Sequence, residues 1–127
     1  MAVTVTPLGL GGSLKVIRDA DIDETLEVNI NDGAATIYAI DIDNAANGAA
    51  TYVKFWNVAV EQGTGAVTLG TTAPDMILMV PASVRRVFAF VGGLTFSTGI
   101  TVAAVTAGGT AGVTGPTSAV VLNVVVG

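Results

Sequence analysis

Apolar and polar residues alternate along much of this chain with a period of two. Val3-Thr4-Val5-Thr6 opens the pattern, and Ala35–Asp43 carries it longest. A period of two sends successive side chains to opposite faces of an extended strand, so that one face is buried and the other solvated. Val, Ile and Thr dominate these runs, and their stiff branched side chains pack well on a pleated surface. No window of helical length keeps a 3.6-residue apolar period without Gly, Pro or a β-branched run.

The pattern predicts about eight strands. They are drawn from the runs Ala2–Thr6, Ser13–Arg18, Leu26–Ile30, Ala35–Asp43, Thr51–Ala59, Ala66–Leu69, Met76–Val80, Val84–Val91, Leu94–Phe96, Ile100–Thr106 and Ala119–Val126. Turn residues separate them: Gly9–Gly12, Asn31-Asp32-Gly33, the small-residue loop Asn44–Ala50, Pro81, Gly92-Gly93, Ser97-Thr98-Gly99 and a Gly/Thr loop over 107–116. Within Ala35–Asp43, Ile37, Ala39 and Ile42 are core candidates, with a slip of phase near Ile40. Asp19–Thr25 has room for one helical turn. Short strands with frequent turns read as an all-β, antiparallel β-sandwich. One domain over 1–127 is expected, jelly-roll-like first and immunoglobulin-like second. The last run, Val120–Val126, is uncharged and strongly β-prone. At an exposed edge it would invite aggregation, so it must run centrally or pair across a subunit interface.

Charge changes this picture. Only 12% of residues are charged, against about 25% in typical soluble domains. Eight of the ten acids lie between Asp19 and Asp43, and no ionisable side chain follows Arg86. A surface so poor in charge suits burial in an assembly. The net charge of −5 and the scattered cations Lys15, Arg18, Lys54, Arg85 and Arg86 argue against nucleic-acid binding. The uncharged stretch from Val87 to Val105 is long enough to span a membrane, but glycines and hydroxyl residues interrupt it and its alternation suits strands. The N-terminus lacks the basic start and apolar core of a signal peptide.

Candidate chemistry is sparse. With no histidine and no cysteine, the Ser-His-Asp, Cys-His and thiolate-metal chemistries have no residues here. The glycine clusters lack the Lys-Ser or Lys-Thr that completes a phosphate loop. No cofactor is expected, and an enzyme is not. Asp19, Asp21 and Asp23 alternate like calcium ligands, with Asp41 and Asp43 as further donors, although the run fails the EF-hand pattern. The alternative is an acidic solvated loop. On Thr51–Ala59, Tyr52, Lys54 and Trp56 share one face, opposite Val53 and Phe55. That face suits an interface or a sugar-stacking platform, with a half-buried Trp56 at the core rim as the plainer reading. Arg85-Arg86 is a further interface candidate.

Tyr52-Val53-Lys54-Phe55-Trp56 resembles the YVKLY element of a family of small virion proteins of tailed bacteriophages. Further pieces follow in the same order. Leu69–Pro74 resembles the family's VGTDTP turn, and Met79-Val80-Pro81-Ala82 its LPVPAG stretch. Gly93–Ile100 resembles GIRFATGL, and Val121–Gly127 resembles the VVVNIGY ending. The likeness spans Thr51 to Gly127. It departs at Arg85-Arg86 and lacks the terminal aromatic.

The resemblance implies a non-catalytic virion protein, commonly a trimer on the capsid exterior that cements neighbouring major capsid protein subunits. Such a protein would be made in the host cytoplasm during assembly, without direct nucleic-acid or membrane contact. Two other readings stand beside it: a tail, neck or fibre part binding host sugar, and a non-viral carbohydrate- or calcium-binding module.

Overall fold

The structure is a computed structural model and describes residues 3–9 and 14–127. Eight strands form in chain order: β1 (Val3–Pro7), β2 (Lys15–Ile22), β3 (Ala35–Asp43), β4 (Thr51–Trp56), β5 (Met76–Val80), β6 (Arg85–Phe96), β7 (Thr101–Val105) and β8 (Val120–Val126). They make two antiparallel sheets, one ordered β1-β2-β8-β3-β6 and the other β5-β4-β7. This is the eight-strand β-sandwich that the alternation predicts. No helix is long and apolar enough to cross a membrane among the described residues.

The core fills the space between the sheets. Ile17, Ile37, Ile40, Ile42, Leu122 and Val124 point inward from the larger sheet. Val53, Phe55, Val80, Val102 and Ala104 meet them from the smaller one. Each Val, Leu, Ile or Phe among them stabilises the fold by about 1.5–3 kcal/mol relative to exposure. On β4 and β7 both faces are buried, because a second layer covers the outer side of the small sheet. Trp56, Val67 and Ala103 form that layer's own cluster, with Leu26, Val58 and Leu69 packed against it.

Several local expectations are corrected. The phase slip in β3 falls between Ile37 and Ala39, where the register shifts. Ile40 is thereby core, and Ala39 turns outward opposite Val125 and Ala89. Asp19–Thr25 holds no helical turn: β2 runs through Ile22 and a bend follows. Gly92-Gly93 does not reverse the chain. Val84–Val91 and Leu94–Phe96 belong to one strand, β6, with a bulge opposite Tyr38. Both glycines have positive φ, of 82° and 85°, which a residue with a Cβ rarely adopts.

Ala66–Leu69 is turn and loop rather than strand. Leu26–Ile30 makes only a bridge, Glu27 with Val102. The segment 23–30 instead straps the free edge of β7. Glu27 N–H donates to Val102 O at 2.9 Å, and Val102 N–H to Glu27 O at 3.0 Å. Ala104 N–H donates to Asp23 O at 2.8 Å, and Ile30 N–H to Ile100 O at 2.9 Å. Most of the turn expected at Gly9–Gly12, together with the run starts Ala2 and Ser13, lies outside the described residues.

Candidate functional site

The outer face of the five-stranded sheet is the most distinctive surface. Cross-strand register sets its rows. Thr4, Arg18, Asn123, Asp41 and Val87 form one row, and Thr6, Val16, Val125, Ala39 and Ala89 the next. Val121, Asp43 and Arg85 border the first. Tyr38 is also exposed, and Val87 and Val91 stand out at 64% and 105% exposure. A solvent-facing sheet ordinarily places polar residues on that side. Here half of the positions are Val or Ala. The strand β8 lies at the centre of this sheet, so the covering its sequence demands comes from β2 and β3.

Arg85 and Arg86 separate at this face. Arg85 forks onto Asp41, its Nε donating to Oδ1 at 2.8 Å and to Oδ2 at 3.1 Å, while Nη2 also reaches Oδ2. Arg86 is exposed on the opposite side of β6 and makes no hydrogen bond or ion pair among the described residues. It remains available to a partner.

Tyr52, Lys54 and Trp56 do lie on one face of β4, but the loops cover that face and no platform reaches solvent. Trp56 is 1% exposed and its Nε1–H donates to Thr72 O at 3.1 Å. Lys54 is fully buried. Its Nζ donates to Gly112 O at 3.0 Å and Thr110 O at 3.4 Å, and burial lowers its pKa from the ordinary lysine value. The Tyr52 ring lies against Gly108. Lys54 and Trp56 are therefore part of the interior rather than of an interface.

The acidic run divides between structural tasks. Asp19 Oδ1 accepts from Asp21 N–H at 2.9 Å, and Asp23 Oδ1 accepts from Thr25 N–H at 2.8 Å. Such short-range bonds stabilise turns. Asp41 and Asp43 lie on the outer face of β3, whereas Asp19 faces inward, so these acids do not converge. No group of three or more acids is placed to hold a metal ion among the described residues.

Two polar features escaped the sequence reading. Glu27 is buried beside β7. Asn44 is buried at the centre of a network. Its Nδ2 donates to the carbonyls of Ala49, Val80 and Pro81, and its Oδ1 accepts from Thr51 Oγ1 at 2.7 Å and Asn47 Nδ2 at 2.9 Å. Asn47 in turn pairs with the backbone of Ser118 in both directions. The only signal was Asn in an otherwise small-residue loop.

One cleft of about 280 Å³ opens beside the ends of β5 and β6, lined by Asn57, Asp75, Met76, Leu94, Thr95 and Phe96. Asp75 Oδ2 accepts from Asn57 N–H at 2.6 Å, and the Asn57 amide is engaged by Ser97 and Thr98. Asp75 is the cleft's one ionisable group, and paired-carboxylate chemistry requires two.

Comparison with models of protein families, with curated proteins and with solved structures finds no match to this chain.

Proposed function

We propose that this chain is a non-catalytic structural subunit that docks through the outer face of its five-stranded sheet. In the specific form the sequence resemblance implies, it decorates the exterior of a tailed-phage capsid, stabilising the head by binding across major capsid protein subunits, as a trimer. One observation carries the docking reading: the row Val16, Val125, Ala39 and Ala89, with exposed Val87 and Val91 beside it, on a sheet face that a free monomer would make polar. The lack of ionisable side chains beyond Arg86 supports it. A sugar-binding tail role has less support, because Trp56 is enclosed.

The test is capsid binding by the wild type, Val91→Asp and Ala89→Asp. Both positions are exposed, so their folds should be unaffected. Wild-type protein is expected to bind capsids lacking it, raise their heat resistance and reach a copy number comparable to the shell protein's. The two variants should lose binding with unchanged melting temperature. A copy number typical of a tail or neck part, or full binding by both variants, would overturn the reading.

A further inference from the structure

Asp19 and Glu27 reach the same interior space from opposite sheets. Asp19 stands on the inward face of β2 with Ile17, opposite Leu122 of β8. It is fully buried, and its Oδ2 has no hydrogen-bond partner. Glu27 is paired with Val102, whose side chain is in the core, so the Glu27 side chain shares that inward face. It is 6% exposed. β2 and β7 are neighbours across the sandwich. A buried oxygen without a partner, in a space where a second buried carboxyl lies near enough to feel its charge, is the arrangement that a proton completes.

We propose that Asp19 and Glu27 form an acid-operated lock, in which one proton shared between them holds the segment 23–30 against β7 and its loss loosens that segment. The proton comes from solvent, forms an O–H on one carboxyl and is donated to the other. With both groups ionised, two buried negative charges repel each other across the junction of β2 and the strap.

Burial raises the pKa of both groups. For Glu27 the Asp19 charge adds to it, and for Asp19 the Asp21 and Asp23 charges add while the Asp21 N–H opposes. The chain's N-terminal ammonium opposes the rise in both, but burial, the first cause, and the neighbouring carboxylates outweigh it. β7, β8 and β1 present Val102, Ala104, Leu122 and Val3, none of which titrates. Arg18 is on the outer face of β2, Lys15 is at its far end beside Pro7, and Glu24 is turned against Gly115. The sign follows. The folded chain keeps this proton at pH values where the unfolded chain has released it. Stability therefore rises as pH falls through the raised folded values, and levels off near the ordinary carboxylate range of about 4.

The test is amide hydrogen exchange, corrected for intrinsic rate, between about pH 7.5 and about pH 5. Protection at Val102 and Ala104, whose N–H groups bond the strap, is expected to rise by up to about tenfold per pH unit in the wild type. Amides of β5 should not follow. Asp19→Asn and Glu27→Gln should each flatten the profile. Carboxyl NMR titration of the wild type gives a readout that needs no variant. It should show proton uptake by this pair well above the ordinary range. Titration of both groups near pH 4, or an unchanged slope in the variants, would overturn the lock. So would calcium at neutral pH restoring the protection, since a cation would then fill the space.

Discussion

The Nζ of Lys54 donates to the carbonyl oxygen of Gly112 at 3.0 Å, tying the middle of the small sheet to the Gly/Thr loop that covers it. No carboxylate accompanies it; the only ion pair among the described residues is Arg85 with Asp41. A buried ammonium held by two carbonyls is strongly bonded but poorly compensated in charge. Lys54→Ala should cost about 2–4 kcal/mol in urea unfolding, through the cavity and the stranded carbonyls. Lys54→Met, which keeps the volume, should cost clearly less.

The same group sets an alkaline dependence. With its pKa lowered by burial, Lys54 loses its proton in the folded chain before it does so in the unfolded one. Between the two values the unfolded state binds more protons, so stability rises with pH and levels off above the ordinary lysine pKa of about 10.4. The difference in urea midpoint between wild type and Lys54→Met, followed from neutral to alkaline pH, should grow in the wild type's favour.

Asn44 joins the loop after β3 to the ends of β5 and β4. Asn44→Ala leaves the Thr51 hydroxyl and several carbonyls without partners, and should destabilise by about 2–4 kcal/mol. Asn44→Asp should be worse, because an oxygen would then face the carbonyls of Ala49, Val80 and Pro81. Equilibrium unfolding of the two variants checks both the size and the order.

Gly92 and Gly93 share a backbone geometry but not a neighbourhood. A Cβ on Gly92 meets open space, whereas one on Gly93 runs into the side chains of Thr36 and Tyr38. Gly92→Ala should therefore cost only the left-handed backbone penalty, about 1–2 kcal/mol. Gly93→Ala adds overpacking of about 1–3 kcal/mol to that. Equal losses in thermal unfolding would contradict this description of the bulge.

Trp56 is the chain's single tryptophan, so its fluorescence reports one environment. Emission should be blue-shifted and poorly quenched by acrylamide until the loops over β4 open. Trp56→Phe strands the Thr72 carbonyl and leaves a void, at a cost of about 1–3 kcal/mol.

Strands were legible where one face is core and the other solvent. Ala35–Asp43 and Met76–Val80 match the observed bounds of β3 and β5. Legibility failed where a segment is buried by a layer that periodicity does not encode. Alternation groups Tyr52, Lys54 and Trp56 on one face, yet whether loops or solvent covers it depends on contacts distant in sequence. The sequence around Glu27 reads as a strand, and its burial follows only from the strap's path along β7. Gly92-Gly93 is compatible with both a turn and a bulge, and the pairing of β6 with β3 on both sides of it decides the matter.

The position of β8 bears on how the chain is made. Within the large sheet, β1 with β2 and β3 with β6 form two ladders that β8 alone joins. A ribosome delivers β8 after all of them. Until it emerges, β2 and β3 each present an open, apolar edge, and the nascent chain is at its most exposed to wrong pairing. Insertion of β8 between strands so far upstream is also a long-range event that slows folding. The quality of the final sheet thus depends on a strand that arrives last.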